Sequence, residues 1–300
     1  MSKNFWETST HFEGENEEQL PPVTVLIDGD IVAYRCAATC DGRHYMVDGQ
    51  RFGYKKDAVS YADKKGIPNS AIELAFEPEP VDAALHNINV TLDNIKQYFT
   101  YEKKLNPDVK IFLSAAYNFR YDIYPDYKKS RKTQRKPHWI AECKEFLKVQ
   151  HNAFQFDGYE ADDLIAMTTE ALRDKKNIYI ASCDKDFTQL GGANVAQYDF
   201  TTGKEWSVTE LQAQHYFYKQ LLIGDTSDDI PGLPKVGPQT ALKILDGIEN
   251  ERDLYNAVVL TYKDRMDITT EQAVEEVTLR GKLLYLLREE GELWKPPPPR

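Results

Sequence analysis

Acidic side chains recur where apolar runs give way to turns. Asp28 and Asp30 follow Val23-Thr24-Val25-Leu26-Ile27. Glu160, Asp162 and Asp163 stand at a predicted helix start, Asp184 and Asp186 follow Ile178-Tyr179-Ile180-Ala181, and Asp225, Asp228 and Asp229 flank a turn. One carboxylate in such a place is ordinary, and the 160–163 acids alone would be usual for a first helical turn. Four groups are different, because anions sharing a pocket repel one another unless a cation neutralises them. Oxygen donors with no histidine cluster beside them suit Mg²⁺ or Mn²⁺ and not zinc. A pair of such ions supplies activation of water and stabilisation of an attacked phosphate and its leaving 3′ oxygen, the chemistry of phosphodiester hydrolysis. The residues divide into one metal group of Asp28, Glu160 and Asp162 and a second of Asp184, Asp186, Asp225 and Asp228. Asp163 can serve either, and Asp30 has a supporting place.

The basic counterpart is local. Lys128, Lys129, Arg131, Lys132, Arg135 and Lys136 fall within nine residues that hold no acid. Arg120, Tyr121, Tyr124 and Tyr127 precede them, and Trp139 follows. Cations for phosphates interleaved with rings for bases suit a single-strand channel, where a solvated basic helix is the plainer reading. Tyr127, Lys128 and Arg131 are the expected neighbours of a scissile phosphate. A third feature is Gly232-Leu233-Pro234-Lys235-Val236-Gly237-Pro238 ahead of a helix. Backbone N–H groups at such a turn bind phosphate, so Gly232, Lys235, Gly237 and Thr240 are candidate duplex contacts. Carbonyls there can also hold K⁺. Arg35, beyond the first acids, would meet a phosphate or pair with a carboxylate. Cys183 reads as a core thiol, and His138, His151 and His215 have no ligand-like spacing.

Alternating strands and helices must position these groups. Val23–Ile27, Val109–Leu113, Asn177–Ala181 and Asn194–Tyr198 read as strands. Leu85, Ile88, Leu92, Ile95 and Phe99 make one helical stripe, with Asp82 as its expected cap. Further helices are predicted after Pro137, over Glu160–Leu172, and after Thr209, where Gln212 completes a capping box. Such alternation implies an α/β fold, a mostly parallel central sheet covered by helices. Residues 39–80 read as a hairpin or irregular insert. From Gly224 the pattern becomes a helix–turn–helix unit with two more helices near 249–262 and 271–287. The expected organisation is a loose arm over 1–21, a nuclease core over 22–223 containing the basic segment 118–138, a helical module over 224–290, and a proline-rich tail over 291–300.

The chain has 300 residues, 41% hydrophobic and 28% charged, enough for one large core and a smaller module. Its net charge of -11 argues against a protein that coats nucleic acid over its whole surface. The four cysteines form no CxxC pair and imply neither zinc nor a disulfide framework. No signal peptide or membrane span is expected, so a cytoplasmic monomer is the expectation.

Together these segments resemble the structure-specific 5′ nuclease family: bacteriophage 5′–3′ exonucleases, polymerase-associated 5′ nucleases and flap endonucleases. The resemblance rests on LIDGD at 26–30, NFRYDIYPDYKKSRK at 118–132, GYEADD at 158–163, SCDKDFTQL at 182–190 and GDTSDDIPGLPKVGPQTA at 224–241, in the family's order. The length and first motif look most like a phage exonuclease. The resemblance implies a 5′-nuclease-like fold with an appended helix-hairpin-helix type module. It implies Mg²⁺-dependent cleavage of DNA from a free 5′ end or at a 5′ flap, with RNA–DNA hybrids also accepted. Asp28, Glu160, Asp162 and Asp163 match its first metal group, and Asp184, Asp186, Asp225 and Asp228 its second. Tyr127, Lys128 and Arg131 match a basic arch over the active site, and Arg120 the arginine preceding it. One departure is Ser114, near the place where many members carry an aspartate. Competing readings are a DNA-binding protein with a weak or dead nuclease core, an RNase of a related fold, and a carboxylate phosphatase acting on monoesters.

Overall fold

In the chain's principal sheet, β1 (Pro22–Asp28) lies between β5 (Asn106–Phe112) and β6 (Ile178–Ala181), and β7 (Val195–Asp199) and β8 (Lys204–Trp206) continue beyond β6. The three pairings in the order β5-β1-β6-β7 are parallel, and β8 runs antiparallel to β7. A computed structural model describes residues 20–298; the arm expected over 1–21 falls almost wholly outside them. Alternation along β1 sends Val23, Val25 and Ile27 to one face and Leu26 to the other, and both faces are buried. On the first face pack α1 (Gly29–Thr39), α3 (Val81–Gln97) and α5 (Ile140–Gln150). On the second lies α6 (Ala161–Leu172), with Phe187, Leu190 and Leu286. All chain connections between parallel strands must cross over, so the C-terminal ends of β1, β6 and β7 share one edge, the usual place for a site in such sheets.

Of the two readings of residues 39–80 the hairpin holds and is extended: β2 (Arg43–Val47) and β3 (Gln50–Phe52) form it, and β4 (Glu73–Phe76) completes an antiparallel sheet in the order β3-β2-β4, covered by α2 (Lys55–Lys65). One expectation needs correction. Asp82 does not cap α3. Pro80 holds the N-cap position with no side-chain bond, and Asp82 lies in the first turn. There its charge still favours the dipole.

The second half is helical. After α4 (Arg120–Ile123) in the basic segment, α7 (Glu210–Ile223) leads through the short strands β9 (Gly224–Asp225) and β10 (Ile230–Pro231) into α8 (Pro238–Leu245). Helices α9 (Glu251–Met266) and α10 (Thr270–Leu284) follow. The capping box of Thr209 and Gln212 is formed, with bonds of 2.8 and 3.2 Å. Phe217, Leu221, Leu245, Val258 and Val277 share one core with Trp294 from the proline-rich tail. Gly281 makes room for that indole: a Cβ there would stand 2.0 Å from a ring carbon. Gly→Ala inside an exposed helix normally stabilises by about 0.5–1 kcal/mol. Gly281→Ala should instead destabilise by about 1–3 kcal/mol through overpacking. A thermal melt of this variant tests it, and an unchanged or raised Tm would show that Trp294 is not anchored there.

Candidate metal centre

Asp28 ends β1 and caps α1, its Oδ1 accepting from the N–H groups of Asp30 and Ile31 at 3.1 and 3.2 Å. Its Oδ2 accepts from Ser182 Oγ at 3.0 Å, and the same oxygen of Ser182 accepts from the N–H of Asp184. Ser182 thereby ties the ends of β1 and β6 together, a role its sequence position did not signal. Burial first, then the charges of Asp30 and Asp184, push the Asp28 carboxyl up to about 7. Asp184 caps the turn that follows β6, with Oδ1 accepting from Asp186 N–H at 2.9 Å. Asp186 accepts from Tyr216 Oη at 2.8 Å and Gln220 Nε2 at 2.9 Å, both from α7. Burial, Asp184 and Asp225 push it up to about 6 despite those bonds. The i, i+4 pair Tyr216 and Gln220 shares a face of α7, which in sequence reads only as core.

Glu160 is the N-cap of α6, and Asp163 answers it in a reciprocal box. Carboxylate oxygens of Glu160, Asp162 and Asp163 lie within 4.8 Å of one another. Among the described residues these three form the tight acidic group; Asp28 stands with Asp184 instead. Asp163 is fully buried, and Arg120 clasps it through Nη1 at 2.6 Å and Nη2 at 2.8 Å. Arg120 also donates to Glu160 at 3.3 Å and to the carbonyls of Leu283 and Tyr285 at 2.8 and 3.1 Å. Leu287 N–H meets Asp163 Oδ1 at 3.2 Å. Arg120 is therefore no reagent at a phosphate. It is 1% exposed and every edge of its guanidinium is engaged within the fold. Asp163 is thus shared between that cation and the acidic group it forms with Glu160 and Asp162, where it stays a candidate metal ligand.

Asp162 has the opposite surroundings. Its oxygens find the N–H of Asp163 at 2.8 Å but no ion-pair partner among the described residues. Burial, followed by the charges of Asp163 and Glu160, holds its carboxyl well above the usual range. A pocket of oxygen donors in which one carboxylate lacks a counter-charge fits a hard divalent cation.

The basic segment folds onto these acids. Lys128 Nζ pairs with Glu160 and lies 3.5 Å from Asp228. Arg131 pairs with Asp228, and its Nε donates to the carbonyl of Ser227 at 3.0 Å. Tyr127 differs from expectation. It is 1% exposed, beneath the site, with its hydroxyl donating toward Glu160 at 2.6 Å and Asp228 at 3.0 Å, so it braces carboxylates and does not face solvent. Lys129 pairs with Asp126, and Arg135 pairs with Asp41 and lies 3.4 Å over the Phe76 ring. Lys132 and Lys136 are exposed with no ion pair among the described residues. Asp225 accepts from Ser227 N–H and Oγ at 2.8 and 2.7 Å. The charge of Asp225 contributes to the raised carboxyls of Asp186 and Asp228.

Ser114 follows β5, and its hydroxyl accepts from the N–H of Ala161 at 2.9 Å, so it caps α6 beside the acids. Its own N–H donates to Asp30 Oδ2 at 3.3 Å, while Lys144 pairs with Asp30 Oδ1 at 2.7 Å. In the turn before α8, Gly232 is required by packing: a Cβ would meet the Ile223 carbonyl oxygen at 2.1 Å. Gly237, the N-cap of α8, has nothing within 4 Å of that position. Lys235 is exposed and Thr240 half-buried beside it. Cys183 is an exposed thiol and not a core one. Its place in the turn after β6 puts the buried Ser182 inward and Cys183 outward. Among the described residues no helix is long and apolar enough to cross a membrane.

Comparison with known proteins agrees with this geometry. The family model for the 5′-3′ exonuclease, N-terminal resolvase-like domain, matches residues 24–218. The chain is 31% identical over 215 residues to a 5′-3′ exonuclease of Aquifex aeolicus, covering 67% of this chain and 68% of that protein. It is 28% identical over 191 residues to a 5′-3′ exonuclease of Buchnera aphidicola subsp. Schizaphis graminum, covering 60% and 65%. The matches thus span about two thirds of these relatives' lengths. A solved structure of T5 5′-exonuclease with bound zinc superposes with a TM-score of 0.57 at 16% identity, covering 86% of this chain and 89% of that one. The strand-end acids, the capped α6 and the basic segment folded over both therefore lie in a protein of the 5′-3′ exonuclease family, with residues 24–218 as its N-terminal resolvase-like domain.

Proposed function

We propose that the chain is a Mg²⁺-dependent 5′–3′ exodeoxyribonuclease that also cuts at 5′ flaps and accepts RNA–DNA hybrids, leaving 5′-phosphate and 3′-hydroxyl ends. The observation that carries this is the meeting, at one sheet edge, of acids from three elements with Lys128 and Arg131 folded over them. Asp28, Glu160, Asp162, Asp163, Asp184, Asp186, Asp225 and Asp228 would hold two ions, with Mn²⁺ able to replace Mg²⁺. Bound there, the ions supply Lewis acidity to water and phosphate. The protein's own contribution is position and charge. Tyr127 and Ser182 hold the acids in register. Lys128 and Arg131, released from Glu160 and Asp228 as cations take their place, would stabilise charge growing on the phosphoryl oxygens. The 118–138 segment acts as the arch over a single strand or frayed end. The α7–turn–α8 unit acts as a helix-hairpin-helix type grip on duplex phosphates. Gly237, Lys235 and Thr240 make those contacts at the start of α8, with K⁺ bridging turn and phosphate. The protein works on DNA as a monomer.

A binding-only reading draws on one observation. Ser114, near a position where an acid would add a ligand, spends its hydroxyl on the α6 backbone. A timed digestion of a labelled duplex, a 5′-flap substrate and an RNA–DNA hybrid, with and without Mg²⁺, separates the two. Short products that appear only with Mg²⁺ are expected from each. Stable binding with no product in Mg²⁺ or Mn²⁺ would refute the nuclease reading in favour of the binding one.

A further inference from the structure

A second recess, of about 220 Å³, opens beside the candidate metal centre and takes no part in holding its acids. It is walled by Arg35 and Cys36 of α1, Thr91 and Asn94 of α3, and Tyr198 and Phe200 at the end of β7. Its place is fixed by the main sheet. Ser182 N–H donates to the Tyr198 carbonyl at 3.1 Å, and Ser182 Oγ donates to Asp28. The recess therefore lies at the same edge as the acids, one strand along. Arg35 stands seven residues from the N-cap Asp28, two helical turns and so on the same side of α1, about 10 Å along the axis. Cys183 lies within electrostatic reach of Asp199, Arg35, Asp28 and Asp184 alike.

Thr91 and Thr201 in this recess are bonded to the Asn87 carbonyl and to Asp199, and Arg35 and Asn94 are the polar side chains left uncommitted among the described residues. Arg35 is exposed, and the bond the described residues give it goes to its backbone carbonyl, from Thr39 Oγ1 at 2.8 Å. Its guanidinium has no ion-pair partner among the described residues. The side-chain amide of the exposed Asn94 is likewise unengaged among the described residues. A guanidinium and an amide beside the half-buried Phe200 ring match a phosphorylated nucleoside end, with phosphate on the forked donor and that ring against sugar or base, while Tyr198, buried and stacked on Tyr98, forms the floor. The volume is below the roughly 300–1,000 Å³ of sites for drug-sized ligands, so it suits one terminal group and not a length of strand.

We propose that this recess binds the 5′-terminal phosphate of the nucleic-acid substrate through Arg35 and Asn94, and so reads the state of the 5′ end. This rests on the nuclease reading above. It goes further in making the terminal phosphomonoester, and not only the backbone, a determinant of substrate choice. Holding that phosphate beyond the acids would register the chain so that the first internucleotide bond meets them, which favours release of short products.

The test compares cleavage of 5′-phosphorylated and 5′-hydroxyl forms of one labelled duplex in Mg²⁺. Charge-assisted bonds of this kind predict a preference in kcat/KM of about ten- to a hundredfold for the phosphorylated end. Arg35→Met should bring the ratio to about one, and Asn94→Asp, which sets an anion against the phosphate, should lower it as well. Equal cleavage of both ends by the parent protein would overturn the proposal. So would an undiminished preference in Arg35→Met, since the phosphate would then be read elsewhere. If no substrate is cut, the nuclease reading fails and the recess is judged alone, by calorimetric titration with thymidine 5′-monophosphate and with thymidine. Binding of the monophosphate, lost in Arg35→Met, would uphold the recess; equal binding of the two, or none, would reject it.

Discussion

Asp28→Asn should yield a protein that is more stable than its parent in EDTA at pH 8 and at least about a hundredfold slower in Mg²⁺-dependent cleavage. Both effects come from one carboxylate. Asp28 is 6% exposed, and burial, then Asp30 and Asp184, raise it from 3.8 to about 7. A carboxyl raised in the folded state favours folding while protonated. That contribution is complete below the unfolded value and is lost as pH climbs through about 7. A displacement of this size corresponds to about 4 kcal/mol at pH 8. Asparagine carries no charge to desolvate, and its Oδ1 can still accept from the N–H groups of Asp30 and Ile31. Melting temperatures recorded in EDTA from pH 5 to pH 8 should therefore fall for the parent and fall less for the variant. Added Mg²⁺ should raise the parent at pH 8 and raise the variant less, since only the second acid group is left intact. Parallel pH profiles would mean that Asp28 does not carry the repulsion, and full cleavage by the variant would remove it from the metal site.

That acids gather at the sheet edge was legible because local rules suffice: a short apolar run ends, and the next residue lies at the strand's C-terminal end. Period-two alternation, the capping box at Thr209 and the apolar stripe of α3 are equally local. What failed to show were relations between distant segments. Arg120 appeared chemical, since nothing in the spacing reveals that its guanidinium closes on the Asp163 carboxylate 43 positions later. Tyr127, among basic residues, looked like a ring for a base, but only the fold puts it under Glu160 and Asp228. Gly232 looked like room for a phosphate, and its packing against the Ile223 carbonyl did not show. The sheet at 43–76 was read only as a hairpin or irregular insert, because its strands are three to five residues long and carry exposed charges, too little alternation to register a period. Glu160 itself was found for a reason only half complete: it is a helix cap as well as a candidate ligand.

Arg120→Met and Asp163→Leu should each destabilise the protein by about 3–5 kcal/mol, and the double variant by less than the two losses together. Removing either partner strands the other charge in a site with almost no solvent. Burial alone would push the Arg120 guanidinium down; the Asp163 carboxylate outweighs it and holds Arg120 well above its ordinary value. Removing both takes away the stranded charge but frees the carbonyls of Leu283 and Tyr285, so the double variant should not return to parental stability. The pair spans three parts of the chain: the start of the basic segment, the first turn of α6 and the strand of backbone leaving α10. Its loss should therefore loosen Glu160 and Asp162 as well as the fold. Denaturant titration of the four proteins measures the coupling, and the Mg²⁺ concentration for half-maximal cleavage measures the loosening. Both should change together, with the half-maximal concentration raised in Arg120→Met and in Asp163→Leu. Single losses that simply add would mean that the two residues act separately. An unaltered Mg²⁺ requirement in a folded Asp163→Leu protein would mean that α6 is held in place by its capping bonds and by Ser114, with the buried pair serving stability alone.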